Sequence, residues 1–201
     1  MFFRNRNVVK YISNFTTRIN RAEINYMEEY HLIEDVLKGS AKAQKAFYKK
    51  FAPKMYAVSL RYARDRDEAN DIMQEGFVKV FSNLHTFRKE GSLEGWIRRT
   101  IVNTAINYYK KNAKHHTYAD FDTVMIFEKS VDATAIEQIS ADELLKHISE
   151  LPDGYRAVFN LNVIEGYTHK EIGEKLNISE NTSKSQLARA RAYLQKRIVR
   201  R

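Results

Sequence analysis

The stretch Thr168-His169-Lys170-Glu171-Ile172-Gly173-Glu174-Lys175-Leu176-Asn177-Ile178-Ser179-Glu180-Asn181-Thr182-Ser183-Lys184-Ser185-Gln186-Leu187-Ala188-Arg189-Ala190-Arg191 decides the fold. Thr168 with Glu171 three residues on is a capping box, which opens a short helix. Ile172 and Leu176 fall four apart and point inward, and Gly173 between them allows close helix approach. Asn177-Ile178-Ser179 makes the turn: Asn tolerates a left-handed backbone, Ile178 plugs the core and Ser179 caps the next helix. That helix runs from Glu180 into a basic terminus. A short helix, a tight turn and a helix free to enter the major groove is the helix-turn-helix layout.

At ~100° per residue, with Leu187 taken as inward, Ser185 lies at roughly 160° and Arg189 at roughly 200°. Asn181 and Thr182 share that outer face, with Lys184 and Gln186 on its flanks. Short polar residues mixed with Arg and Gln suit base-edge and phosphate contacts. After Ser183 the chain carries seven positive charges, Arg191 among them, and no acid. The competing reading is an amphipathic helical hairpin with a solvated basic face; the turn, the caps and the acid-free helix together favour DNA.

The rest of the chain is also helical in pattern. Only seven Gly and two Pro punctuate 201 residues, and no strand alternation stands out. Leu32, Ile33, Val36 and Leu37 form a stripe that Gly39 ends. Ser40 caps a helix with Ala43, Phe47 and Phe51 inward, which is expected to stop at Pro53, where a third helix starts. Asp65 to Glu68 reads as a capping box opening a helix with Ile72, Met73, Gly76, Phe77, Val80, Phe81 and Leu84 on one side. A further helix spans about Trp96 to Lys111. Residues 113–138 lose the pattern and are rich in acids, so they read as a linker. Ser140 to Glu143 is another capping box, and Pro152, Gly154 and Gly166 bracket the helices before the terminal motif. Residues 1–26 carry five basic residues and one acid; they read as a basic tail or as an extension ahead of a start at Met27. The expected fold class is all-α: two small helical domains, 27–112 and 139–201, joined by a flexible acidic linker.

Composition limits the function classes. A net charge of +9 and a pI near 9.6 favour polyanionic partners. With no cysteine, disulfides and thiolate metal sites are excluded. No apolar run approaches the ~18–20 residues of a bilayer span, so a cytoplasmic location is expected. His115 and His116 are the only adjacent histidines, without a neighbouring carboxylate cluster or H-E-x-x-H, and no phosphate loop is present. No cofactor, metal, small-molecule substrate or enzymatic role is therefore expected.

The first domain presents two further surfaces. Asp67, Asn70, Asp71, Gln74 and Glu75 line the polar side of their helix, which is either a solvated face or an acidic dock for a basic partner. Trp96 to His116 holds Arg98, Arg99, Lys110, Lys111 and Lys114 with no acid, plus Asn103 and Asn107. That pattern fits a surface for single-stranded nucleic acid, or an aromatic core with a basic rim.

At these residues the chain resembles the extracytoplasmic-function (ECF) sigma factors of bacterial RNA polymerase, in the sigma-70 superfamily. Ala69-Asn70-Asp71-Ile72-Met73-Gln74-Glu75-Gly76-Phe77 is similar to the family's core-binding helix, A-x-D-I-x-Q-E-x-F. Trp96-Ile97-Arg98-Arg99-Thr100-Ile101-Val102-Asn103 resembles its promoter-melting helix, and Tyr167 to Arg191 its final helix-turn-helix. Gly173 stands where Ala is usual, Asn177 where Gly is common and Ser183 where Val is common. The resemblance implies that Asp71, Gln74 and Glu75 bind core RNA polymerase at the clamp of its largest subunit, the flap being a second contact. It implies that Trp96, Arg98, Arg99, Asn103 and Lys110, with the loop from His85 to Gly95, open and hold the −10 element. Asn181, Thr182, Lys184, Ser185, Gln186, Arg189 and Arg191 would read the −35 element of promoter DNA. An anti-sigma factor is a further partner that the family implies. The rival reading is a stand-alone helix-turn-helix regulator of operator DNA, which leaves the Asp71, Gln74 and Glu75 face unexplained.

Overall fold

The structure, a computed structural model, describes residues 27–113 and 140–198, and it contains helices and turns with no strand among them. The basic N-terminal segment, the acidic linker with His115 and His116, and Lys114, Arg200 and Arg201 lie outside the described residues. In chain order the helices are α1 (27–37), α2 (Ala41–Tyr62), α3 (Arg66–Asn83), α4 (Leu93–Ala113), α5 (Ala141–Ser149), α6 (Asp153–Phe159), α7 (His169–Leu176) and α8 (Glu180–Ile198). A 3₁₀ turn at Leu84–Thr86 follows α3, and α6 runs on into a π-helical turn at Asn160–Ile164.

The caps read from the sequence are present. Ser40 accepts from the Ala43 amide, Asp65 from Glu68 at 2.8 Å, and Ser140 from Glu143 at 3.2 Å. Thr168 and Glu171 form the full reciprocal box, and Ser179 accepts from the Thr182 amide at 2.9 Å. Each satisfies an amide that the first helical turn leaves without a partner.

Pro53 does not end a helix. α2 runs through it unbroken, because Phe47, Phe51, Met55 and Val58 continue one buried stripe across it. A proline inside a helix forfeits the bond to the carbonyl four residues back, here that of Lys49, and crowds it, and Pro53 is on the exposed side. Burial of Met55 and Val58 beyond the proline, about 1.5–3 kcal/mol each, offsets a penalty of about 3 kcal/mol.

α2, α3 and α4 form a three-helix core. α3 and α4 cross at Gly76, where a Cβ would lie 2.3 Å from Ile101 Cδ1. A side chain there would have to push the end of Ile101 aside. α5 to α8 form the second unit, in which α8 packs against α6 and α7. The two helical units expected from the sequence also touch each other. Ala157, Val158, Leu161, Ile172, Leu176 and Leu187 join the same buried cluster as the first unit's Phe47, Met55 and Ile97. A smaller core of Leu151, Ala190 and Leu194 belongs to the second unit alone.

Candidate nucleic-acid interface

α7, the turn and α8 have the geometry the sequence requires. Asn177 sits at φ 62, ψ 45, the left-handed conformation, and its amide bonds back to the Gly173 carbonyl. Ile178 N also reaches the Gly173 carbonyl, at 3.0 Å. The turn lies so close that a Cβ on Gly173 would stand 2.8 Å from the Ile178 carbonyl oxygen. Ser183 is fully buried, and its hydroxyl meets His169 Nδ1 at 2.9 Å. A polar residue in this core position is thus satisfied from the preceding helix.

On α8, Asn181, Lys184, Ser185 and Arg191 are exposed, and Thr182 and Arg189 are half-buried. Lys184 pairs with Glu180 at 2.7 Å, one turn back. Gln186 departs from this face: it is 7% exposed and packs against Gly154 of α6. The reason is a rotation. The buried positions Ser183, Gln186, Leu187, Ala190 and Leu194 centre about 45° to the Gln186 side of Leu187 at ~100° per residue.

The α4 residues divide in the same way. Trp96, Arg99, Asn103, Asn107 and Lys110 fall within about 80° of one another at ~100° per residue, so they form one stripe. Arg99, Asn103 and Asn107 are exposed along it, and Trp96 and Lys110 are half-buried. Phe87 packs on the Trp96 ring with centroids 5.7 Å apart. Arg98 lies roughly opposite that stripe and is engaged elsewhere. Its Nε donates to Glu165 Oε2 at 2.9 Å and its Nη2 to Oε1 at 2.8 Å. The expected grouping of Arg98 with Arg99 and Asn103 is not what the helix presents. Hydrogen bonding to Glu165 holds the Arg98 guanidinium above its ordinary pKa, against the effect of burial.

Asp71, Gln74 and Glu75 are all exposed on α3. Tyr108 OH donates to Asp71 Oδ2 at 3.2 Å, and Lys79 pairs with Glu75. Burial first, then the Asp71 carboxylate, pushes the Tyr108 phenol up. Val78, one turn beyond Gln74 and Glu75, is 65% exposed, so the polar face carries an apolar patch that the periodicity does not single out. An open groove of about 450 Å³ runs between α2 and α3, lined by Tyr48, Ala52, Pro53, Tyr56, Asn70 and Met73 among others.

Four further residues form a polar clasp between the units. Glu165 takes Arg61 as well as Arg98, with Arg61 Nη2 at 3.4 Å. Asn160 Nδ2 donates to the Arg61 carbonyl at 2.7 Å, and Arg156 Nε to the Tyr62 carbonyl at 3.0 Å. These two carbonyls end α2, where no helical amide remains to serve them. In the sequence the signals are faint: a polar Asn160 between Phe159 and Leu161, and a lone acid before Gly166.

Among the described residues no group of three or more His, Asp or Glu could hold a metal ion, and no helix is long and apolar enough to cross a membrane.

These surfaces define a helical protein with one duplex-reading motif and one basic-aromatic helix. Two family models match the chain: sigma-70 region 2 over residues 47–115 and sigma-70 region 4 over residues 141–194. The ECF RNA polymerase sigma factor SigM of Bacillus subtilis is 29% identical over 147 residues, covering 73% of this chain and 90% of its own length. The ECF RNA polymerase sigma-E factor of Haemophilus influenzae is 26% identical over 178 residues, covering 83% and 93%. Among solved structures, the sigma factor RpoE of Bartonella quintana, crystallised with the anti-sigma factor NepR, aligns at a TM-score of 0.46 and 20% identity, over 78% of this chain and 98% of that one. The chain belongs to the sigma-70 family, in its extracytoplasmic-function group.

Proposed function

We propose that this chain, an alternative sigma factor that directs RNA polymerase to promoters, does so by two physically different readings joined on one polymerase. The first unit would hold the clamp of the polymerase largest subunit through Asp71, Gln74 and Glu75. The apolar patch at Val78 and the groove at Tyr48, Pro53 and Met73 would add buried surface to that contact. The α4 stripe would then take the melted −10 strand: Trp96 offers a ring for a base, and Arg99 and Lys110 offer charge for phosphates. The second unit would read the −35 duplex in the major groove with Asn181, Thr182, Lys184, Ser185, Arg189 and Arg191, the polymerase flap holding it in place.

The observation that carries this reading is the conjunction, in one chain, of the exposed Asp71, Gln74 and Glu75 face, the exposed Arg99 and Asn103 stripe and the helix-turn-helix. A stand-alone operator binder needs only the last. The protein acts as a non-catalytic factor in the cytoplasm, where the polymerase is, and an anti-sigma factor would be its inhibitor. The experiment is transcription in vitro with purified core polymerase on candidate promoters. Initiation that depends on this chain is expected; no initiation and no association with core polymerase would overturn the reading.

A further inference from the structure

The segment between α3 and α4 is fastened at its root, its middle and its end. At the root, Phe87 packs on the Trp96 ring, which sets the segment against the first residue of the α4 stripe. At the end, Ser92, just ahead of α4, accepts from the Gly95 amide at 3.3 Å, as an N-cap does. In the middle, Lys89 Nζ stands over the Tyr30 ring of α1, 3.1 Å from its centroid. That is well inside the reach of a cation–π contact. α1 is itself held, with Ile33 and Val36 in the core and Glu29 paired to Lys50 of α2 at 3.0 Å.

The backbone shows that this contact is more than a lysine resting on a nearby ring. Lys89 has φ 63, and among the described residues the one other left-handed residue besides glycine is Asn177, in the turn of the helix-turn-helix. Asn and Gly adopt that region easily, whereas a lysine there carries backbone strain that its surroundings must offset. The contact with Tyr30 is what the side chain contributes. Gly91 follows at φ 86, so the chain reverses within three residues. Lys89 is half-buried, and its neighbours Arg88 and Glu90 are exposed.

We propose that Tyr30 is a positioning residue for promoter reading: through Lys89 it holds the 87–92 loop in the shape that presents Arg88 and Glu90 beside the α4 stripe, and so sets which −10 bases are preferred. This rests on the sigma-factor reading, which gives the loop and the stripe to the −10 element. Tyr30 acts through Lys89 and does not itself touch DNA. Without the ring, the strained backbone at Lys89 relaxes and the loop populates several shapes. A loop ordered only on binding loses part of its discrimination between bases, because each strand can select the shape that suits it. The polymerase contact proposed for Asp71, Gln74 and Glu75 and the −35 contact proposed for α8 do not involve the loop. Loss of Tyr30 therefore changes base preference and leaves those two contacts as they are, a separation that a general loss of structure would not give.

The test selects promoters from a library randomised over the −10 element, with the full chain on purified core polymerase. Wild type should select a −10 sequence. Tyr30→Leu keeps an apolar side chain but removes the ring, and should lower discrimination against the wrong base at one or more −10 positions by about threefold to tenfold. Tyr30→Phe keeps the ring and should discriminate as wild type does. Lys89→Met keeps the stem and removes the charge, so it should match Tyr30→Leu, and the double variant should add little to either. Affinity for core polymerase and for isolated −35 duplex should not change in any of them. Unchanged discrimination in Lys89→Met, additive effects, failure of Tyr30→Phe to discriminate, or parallel loss of polymerase binding would each overturn the positioning role. Lys89→Met alters only an exposed-loop side chain, so it decides the matter even if Tyr30→Leu does not fold. A wild-type chain that selects no −10 sequence with core polymerase refutes the sigma-factor reading instead, and that failure is visible before any variant is made.

Discussion

Replacing Arg156 with Met is the sharpest probe of how the second unit is held together. Arg156 is 4% exposed, and its guanidinium makes four bonds. Nη1 donates to the Ser149 carbonyl at 2.7 Å and to the Leu151 carbonyl at 2.9 Å, Nε to the Tyr62 carbonyl at 3.0 Å, and Nη2 to Asp153 Oδ1 at 2.6 Å. Burial lowers its pKa, and the Asp153 carboxylate pulls the other way. Met fills the space of the stem but leaves three carbonyls without a donor. Each costs about 1–3 kcal/mol if it stays dry. Asp153 is 34% exposed and rehydrates, so its loss adds little. Relief of the desolvated charge offsets part of the sum. The net expectation is a loss of about 3 kcal/mol.

Two of the three carbonyls belong to the second unit and one to the end of α2, so the loss is local before it is global. Urea unfolding followed by far-ultraviolet circular dichroism should show an early transition in Arg156→Met. Fluorescence of Trp96, the one tryptophan, which lies in the first unit, should shift less. Arg156→Lys should restore less than half, because an ammonium cannot serve four acceptors arranged around a fork. A loss under about 1 kcal/mol in Arg156→Met, or full recovery with Lys, would refute this account of the clasp.

Gly173→Ala should destabilise the helix-turn-helix by about 1–3 kcal/mol despite the better helix propensity of alanine, because the new Cβ meets a backbone oxygen at 2.8 Å; an unchanged melting temperature would mean the turn yields. Arg189→Ala should weaken binding to duplex promoter DNA about tenfold while leaving association with core polymerase intact, as read by gel shift and by pull-down; equal loss of both sinks the assignment. Glu171 is held below the ordinary carboxylate range first by the Thr168 amide and then by its hydroxyl. A depressed carboxyl stabilises the fold above the unfolded pKa and stops doing so as pH falls through the folded one. The wild type should therefore lose stability faster than Glu171→Gln as pH drops below about 4.5, in thermal melts across that range; parallel curves would exclude the capping box as the cause.

The chemistry legible in the sequence is the chemistry that acts locally. A cap acts within three residues, so Asp65, Ser140, Thr168 and Ser179 announce their helices. The left-handed turn at Asn177 is legible for the same reason. Pro53 misleads because a local rule is set against a stripe whose next members, Met55 and Val58, lie beyond it. Gln186 is misplaced when Leu187 alone sets the inward direction, because the small buried positions Ser183 and Ala190 turn the axis toward Gln186. Arg98 is beyond the reach of any such rule. Its partner Glu165 is 67 residues away, and no periodicity on either helix encodes that pairing.

The clasp also explains why two units that share a buried cluster can still act as two. Its directional part is spent on the last carbonyls of α2, at Arg61 and Tyr62, and on one carboxylate between two guanidinium groups. All of these groups are well solvated once apart, so separation exchanges one set of hydrogen bonds for another at small net cost. The apolar part, chiefly Ala157, Val158 and Leu161, contributes the larger share of the contact. Because the reading surfaces face away from the clasp, closure leaves either one able to meet its own DNA element. Isolated −35 duplex should therefore bind equally well to wild type and to Glu165→Gln, as read by anisotropy. Tighter binding of the isolated duplex by Glu165→Gln would show that the clasp and the reading face of α8 are not independent.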